Sequence, residues 1–175
     1  RGQLFFVTER LTGISLSQRI EADDALLWDE LADVGWQIAS TLQHAHNRGL
    51  THGALTLYAV YVSADVRVVV ADLGVHRWLA SSEDSVSFVE YATKDLRDFG
   101  RLLKAAVQRT VDCGKVSATT EQMRAMDELI ADLETGSSTV SARDVQGRLG
   151  RMLLDVAGDS IEMVDARDGQ QLARR

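Results

Sequence analysis

The sequence predicts a mainly helical α+β domain with one short β-hairpin. Apolar residues recur every three or four positions over 25–47, as they do on one face of an α-helix. Two valine-rich runs, 58–63 and 66–71, are separated by the two residues Ala64-Asp65, which is typical of a hairpin. Capping-box spacing opens two later helical segments, 120–134 and 142–155. The strand signal is therefore confined to a small part of a helical chain.

Composition narrows the classes of function. A chain of 175 residues that is 45% hydrophobic can bury the core of one domain. Its net charge of -7 and the lack of any Lys/Arg cluster argue against nucleic acid as a partner. No apolar run approaches the about 20 residues that span a bilayer, so we expect no membrane segment within this chain. We expect a cytoplasmic location, with the cytosolic part of a larger or membrane-anchored protein as an alternative. The single cysteine, Cys113, excludes an internal disulfide and is expected to be unreactive. The chain begins with Arg1 rather than Met, which suggests a piece of a longer polypeptide.

The first half of the chain begins with a short apolar run at 4–7, which predicts a buried strand. Residues 8–13 then leave that strand. The long helix predicted over 25–47 ends at Gly49, because glycine readily adopts the positive φ of a helix C-cap. Tyr61 lies within the first hairpin strand, where it would be an ordinary strand tyrosine with its hydroxyl at the surface.

In the second half, apolar residues at helical spacing predict a helix over 94–109. Asp95 falls in its first turn, where an exposed carboxylate would be favoured by the helix dipole. Residues 81–85, Ser-Ser-Glu-Asp-Ser, predict a polar turn. Residues 156–175 change character and are interpreted as a tail or as the start of a following module. A zinc site formed by histidines and Asp72 is a weaker alternative, because His44 and His46 point to different sides of their helix.

The stretch 46–74 carries a resemblance to a known family. His46-Asn-Arg-Gly-Leu-Thr-His-Gly-Ala54 resembles the catalytic loop of protein kinases, and Ala71-Asp-Leu-Gly74 resembles their Asp-Phe-Gly segment. The resemblance covers roughly residues 3–155, in the family's order, and is closest in kind to bacterial Ser/Thr kinases. It implies the fold of a kinase C-terminal lobe, with the hairpin at the cleft and without a complete N-terminal lobe.

The same resemblance implies that the residues a protein kinase needs for phosphoryl transfer are missing. A protein kinase has an Asp two residues after the loop His as proton acceptor, then a Lys, then an Asn that binds magnesium. By position these become Ala54, Thr56 and Ala59. A methyl group neither accepts a proton nor binds a hard cation, and threonine is neutral. Of the reactive set only Asp72 remains, as a metal ligand if a nucleotide binds.

Other residues have expected roles by resemblance alone. The segment 8–13 is similar to the hinge between kinase lobes, so Glu9 and Leu11 would face an adenine ring with Tyr61 beneath it. His52, Leu73 and Gly74 would be structural. Asp95 would bind the backbone of the catalytic loop, as an alternative to the exposed first-turn carboxylate. Phe88-Val89-Glu90 would stand where the family has Ala-Pro-Glu.

Three functions follow as hypotheses. The leading one is a catalytically inactive kinase-like domain, a pseudokinase, that binds a protein partner or a regulatory domain of its own polypeptide, with homo-oligomerisation as a further option and no cofactor. The second is an unorthodox ATP-binding or active Ser/Thr kinase that uses Asp72, magnesium and residues outside this chain. The third is a purely structural helical module without a specific partner.

Overall fold

The computed structural model describes residues 7–22, 24–79, 86–136 and 140–154. Helices dominate these ranges, and three short strands form one antiparallel sheet, so the predicted mainly helical α+β class is confirmed. The strands are β1 (Ile14–Ser15), β2 (Val60–Val62) and β3 (Val68–Val70). The helices are α1 (Leu16–Glu21), α2 (Trp28–His46), α3 (Val75–Leu79), α4 (Phe88–Asp112), α5 (Thr120–Thr135) and α6 (142–154).

The predicted hairpin is confirmed as β2 and β3, and the sheet has a third strand that the sequence did not predict. The hairpin loop is a tight turn in which the Val66 amide donates to the Ser63 carbonyl at 3.0 Å. Val66 has a positive φ of +58°. On the other side, β1 pairs with β2 next to Gly13. A Cβ on Gly13 would lie 2.4 Å from the Val62 carbonyl oxygen, so only glycine permits this close approach.

The core forms around α2, whose apolar face includes the fully buried Ile38 and Leu42. The helix begins at Trp28, so the predicted start at residue 25 is wrong. Ala25 and Leu26 are buried, but side chains from the far end of α4 and beyond bind their carbonyl groups. The Thr110 hydroxyl donates to Leu26 at 3.0 Å, and the Lys115 ammonium donates to Ala25 at 2.8 Å. These two hydrogen bonds hold residues 25 and 26 in place before the helix. Their apolar side chains therefore continue the helical pattern although the backbone there is not helical.

Helix α4 begins six residues before the predicted start at 94. Ser87 caps it, because its hydroxyl accepts from the Glu90 amide at 3.2 Å and the Glu90 carboxylate accepts from the Ser87 amide at 2.7 Å. Phe88, Val89 and Glu90 therefore form the first turn of a 25-residue helix. Gly100 lets α4 cross α5 closely, since a Cβ there would lie 2.7 Å from the Leu133 Cβ.

The predicted capping boxes of the last two helices are confirmed. The Thr119 hydroxyl accepts from the Gln122 amide at 3.2 Å, and the Asp144 carboxylate accepts from the Ser141 amide at 3.0 Å. At the other end of the chain, Val7 is 87% exposed and lies in no strand, so the predicted buried strand is wrong at that residue. Residues 4–6, the serine-rich turn at 81–85 and the segment 156–175 lie outside the described residues.

A side chain of α2 bonds the hairpin to the helical core. The Gln37 amide group donates to the Val66 carbonyl at 2.8 Å and accepts from the Val68 amide at 2.9 Å. Gln37 thus occupies the outer edge of β3 and fixes the hairpin against α2. No helix in the described ranges is both long enough and apolar enough to cross a membrane.

Candidate functional site: one loop between a helix and a cleft

The loop at 51–54 is bound to α4 through Asp95. This carboxylate is fully buried, and it accepts from the His52 amide at 2.8 Å and from the Gly53 amide at 2.7 Å. His46 adds a third contact, with its Nε2 3.0 Å from Asp95 Oδ2. The alternative of an exposed first-turn carboxylate is wrong, because α4 begins at Phe88 and leaves Asp95 two turns inside the helix.

Lys94, the neighbour of Asp95, binds the same loop from the acceptor side. Its ammonium group donates to the Gly53 carbonyl at 2.8 Å and forms an ion pair with Asp98 at 2.5 Å. Two consecutive residues of α4 therefore bind both the amide and the carbonyl of Gly53. The position of the loop backbone is set by charge-assisted hydrogen bonds, which are stronger than neutral ones.

The short helix α3 packs against this loop at Gly53. Gly53 has φ +82°, and a Cβ there would lie 3.3 Å from the His76 side chain. Tyr91 of α4 supports α3 from the other side, with the Arg77 guanidinium 5.9 Å from its ring centre and the His76 ring at 6.5 Å. The loop, α3 and the first turns of α4 therefore form one contact region.

A cleft of about 440 Å³ lies beside the loop. It brings together five positions that the sequence analysis singled out: His52, Ala54, Thr56, Ala59 and Asp72. The remaining lining residues are Tyr58, Val75, His76 and Leu79. Residues far apart in the chain thus meet because the hairpin returns the chain to the loop.

Asp72 carries the only carboxylate among the described residues that line this cleft. It is exposed and has φ +60°, a left-handed conformation that aspartate tolerates better than most residues. The same lining contains no lysine, arginine, asparagine or glutamine. With Asp72 ionised, the cleft presents one negative charge within a largely apolar surface.

His52 is the buried base of the cleft and is 2% exposed. Burial lowers the pKa of its imidazole, although the charge of Asp95 and the Ala71 carbonyl act in the opposite direction. Its Nδ1 lies 3.4 Å from the Ala54 amide, which donates to it. His52 is therefore a neutral structural group near pH 7 and adds no charge to the cleft.

Other predicted site residues do not join this cleft. Glu9 is exposed, Leu11 is half-buried, and neither belongs to the lining. Tyr61, half-buried in the middle of β2, points to the opposite face of the sheet from Val60 and Val62 and is likewise outside the lining. Its pairing with Val69 and Ser15 is that of a central strand residue.

Leu73 and Gly74 complete the tight turn after Asp72. Leu73 is half-buried, and Gly74 has φ +80°. The turn leads directly into α3, since the Val75 amide donates to the Asp72 carbonyl at 3.1 Å. The Asp72 backbone is thereby fixed at the start of the helix that lines the cleft.

Sequence reasoning missed Lys94 and His76 as parts of this site. It placed His46 at the start of the catalytic-loop resemblance but did not predict its contact with Asp95. His46 is 49 positions from Asp95, so local periodicity carries no sign of their contact. Lys94 could have been suspected from its place beside Asp95, whereas nothing in the pattern predicted α3. Among the described residues, no group of three or more His, Cys, Asp or Glu side chains is placed to hold a metal ion.

Comparison with known proteins supports the fold. No protein-family model matches the chain. Among solved structures, the chain is similar to the PAN3 pseudokinase of Neurospora crassa, with 18% sequence identity and a TM-score of 0.58. The match covers 91% of this chain but 43% of that one. At this identity the similarity shows a kinase-like fold.

Proposed function

We propose that this chain is the C-terminal lobe of a catalytically inactive protein-kinase-like domain that serves as a protein-interaction or regulatory scaffold. A cytoplasmic protein of the bacterial Ser/Thr-kinase type is the setting that best fits the residue pattern. In this proposal Ala54, Thr56 and Ala59 stand at the positions of the lost catalytic groups, and the region 1–155 is one structural unit.

The single observation that carries the proposal is the content of the cleft. Phosphoryl transfer needs a proton acceptor, a cation near the transferring group and ligands for magnesium. The lining offers one carboxylate, Asp72, beside the methyl groups of Ala54 and Ala59. Losing a general base alone commonly costs about 10²–10⁴ in rate. The nearby His52 is not a ready substitute, because its Nδ1 already accepts the Ala54 amide and burial lowers its pKa.

The well-bonded loop supports the scaffold role. Asp95 and Lys94 bind its backbone from α4, so the frame around the cleft is rigid. A rigid frame with a concave, largely apolar surface is suited to recognition of a partner, since little order must be gained on binding.

A second candidate, an unorthodox ATP-using kinase, rests on Asp72. Its exposed carboxylate lies in the cleft and could bind magnesium together with residues supplied from outside this chain. This candidate predicts magnesium-dependent nucleotide binding. A structural module without a partner is the third alternative, and it predicts neither nucleotide nor protein binding.

The test is a phosphoryl-transfer assay on the native polypeptide that contains this chain. It would be incubated with labelled ATP, magnesium or manganese and generic protein substrates, beside an Asp72→Asn variant. We expect no transfer above the background of the variant. Transfer that disappears with Asp72→Asn would overturn the proposal, and a magnesium-dependent shift of melting temperature with ATP would favour the second candidate.

A further inference from the structure

We infer that the cleft beside Asp72 is a docking pocket for a cationic side chain, lysine or arginine, flanked by apolar residues in an extended segment of a partner protein. This inference rests on the proposed scaffold function and specifies the partner's chemistry. It is carried by the charge of the cleft, its size and its exposed apolar rim.

Charge decides which ligand the cleft favours. Asp72 is the only carboxylate in the described lining, which also holds no lysine or arginine. A phosphate group would therefore meet a negative charge with no lysine or arginine in the lining to offset it, whereas a guanidinium or ammonium group would gain a charge-assisted hydrogen bond with Asp72. The complementary ligand is thus a cation.

The rim supplies the apolar part of the surface. Tyr58 is 68% exposed and Leu79 is 57% exposed, and both line the cleft. Val75 lies one turn before Leu79 on α3 and is half-buried. Aromatic and aliphatic groups around one charged group form the usual composition of a recognition pocket, with an apolar body and a few polar groups that fix orientation.

The size of the cleft and the bonding of its walls are compatible with one long side chain. A volume of about 440 Å³ accepts one long side chain and its neighbours. The wall formed by α3 packs against Tyr91 and Gly53, and the loop backbone is bound by Asp95. The pocket is therefore formed before the partner arrives, which reduces the entropic cost of binding.

The experiment is a selection from a display library of random heptapeptides against the whole 175-residue chain. Parallel selections would use Asp72→Asn, which removes the charge, and Leu79→Ser, which removes part of the rim. Asp127→Asn on α5 and Val111→Ser on α4 are the matched controls, since both residues are exposed and outside the cleft.

We expect enrichment of peptides with Lys or Arg between apolar residues. Their affinity for Asp72→Asn should fall about tenfold, as loss of a charged hydrogen bond does, and the control variants should bind normally. Enrichment of acidic peptides, enrichment indifferent to both cleft variants, no enrichment at all, or displacement by magnesium-ATP would each overturn the inference. If peptides fail while no phosphoryl transfer is seen, this inference fails and the inactive-kinase proposal stands.

Discussion

The two sides of the loop at 51–54 differ sharply in chemistry. The side toward α4 is bound by charged groups, with the buried Asp95 carboxylate accepting two backbone amides and Lys94 binding the Gly53 carbonyl. The side toward the cleft presents the methyl groups of Ala54 and Ala59 and the hydroxyl of Thr56. Polar groups are thus concentrated where they fix the backbone, and they are sparse where they would meet a ligand.

This difference teaches that the loop backbone is held mainly from the α4 side. Hydrogen bonds to ionised groups contribute about 1.5–3 kcal/mol each, and these bonds lie on the α4 side. Ala54 is partly exposed and Thr56 is exposed, so other side chains could take their places, whereas Ala59 is buried. We therefore expect substitutions on the two sides to have very different effects, and the following tests run from the largest expected effect to the smallest.

Replacing Asp95 should have the largest effect. Asp95→Ala would leave the His52 and Gly53 amides buried without an acceptor, and we expect the free energy of unfolding to fall by about 3–5 kcal/mol. Urea denaturation followed by circular dichroism measures this change. Asp98→Asn is the control, since Asp98 lies one turn along α4 and its described contacts are ion pairs with side chains. Equal losses in the two variants would break the comparison.

Gly53→Ala should have an intermediate effect. The new Cβ would be strained at φ +82° and would press on the His76 ring at 3.3 Å, so we expect a loss of about 1–3 kcal/mol. Gly49→Ala provides the matched control, because Gly49 also has positive φ, +71°, but a Cβ added there would meet no atom within 4 Å. The difference between the two variants in urea denaturation isolates the packing of α3 on the loop. No difference would mean that α3 does not press on the loop.

The stability should also depend on pH through His52. Because its pKa is lowered in the folded state, the unfolded chain binds more protons below about pH 6.5, and stability is lost as the pH falls from there through the folded pKa. We therefore expect stability to fall between about pH 7.5 and 5.5. Urea denaturation at both pH values should show a smaller pH dependence in His52→Gln than in the exposed-site control His44→Gln. An unchanged dependence in His52→Gln would contradict the assignment.

Ala54→Asp should have the smallest effect. Ala54 is partly exposed and lines the cleft, so a carboxylate there can remain hydrated, and we expect stability to change by about 0.5 kcal/mol or less. The same denaturation assay measures it. A loss as large as that of Asp95→Ala would show that both sides of the loop are equally constrained.

The parts of the fold that sequence could predict are those set by local chemistry. Helical periodicity and capping boxes predicted α5 and α6, and valine runs predicted the hairpin. The start of α4 carries the same local signal, since Ser87 and Glu90 have capping-box spacing, whereas the apolar periodicity that predicted this helix becomes regular only from Leu96. A two-residue strand such as β1 has no periodicity to detect, so it could be found only through its pairing with β2.

The candidate site likewise has features that the sequence could predict and features that it could not. Resemblance of order and spacing singled out Ala54, Ala59 and Asp72, and all three line one cleft. The contact of His46 with Asp95 joins residues 49 positions apart, and it depends on how α2 and α4 pack. The docking of α3 on Tyr91 depends on a helix of five residues, too short to show a period. Long-range packing, rather than local preference, decides these features.

The position of Gln37 has a consequence for self-association. An uncovered strand edge can template the addition of another polypeptide, which is the first step of fibril growth. At this edge, the carbonyl of Val66, in the turn before β3, and the amide of Val68, the first residue of β3, are already bonded to the Gln37 side chain. An incoming strand could reach these two groups only by displacing the Gln37 side chain, so α2 protects the start of this edge.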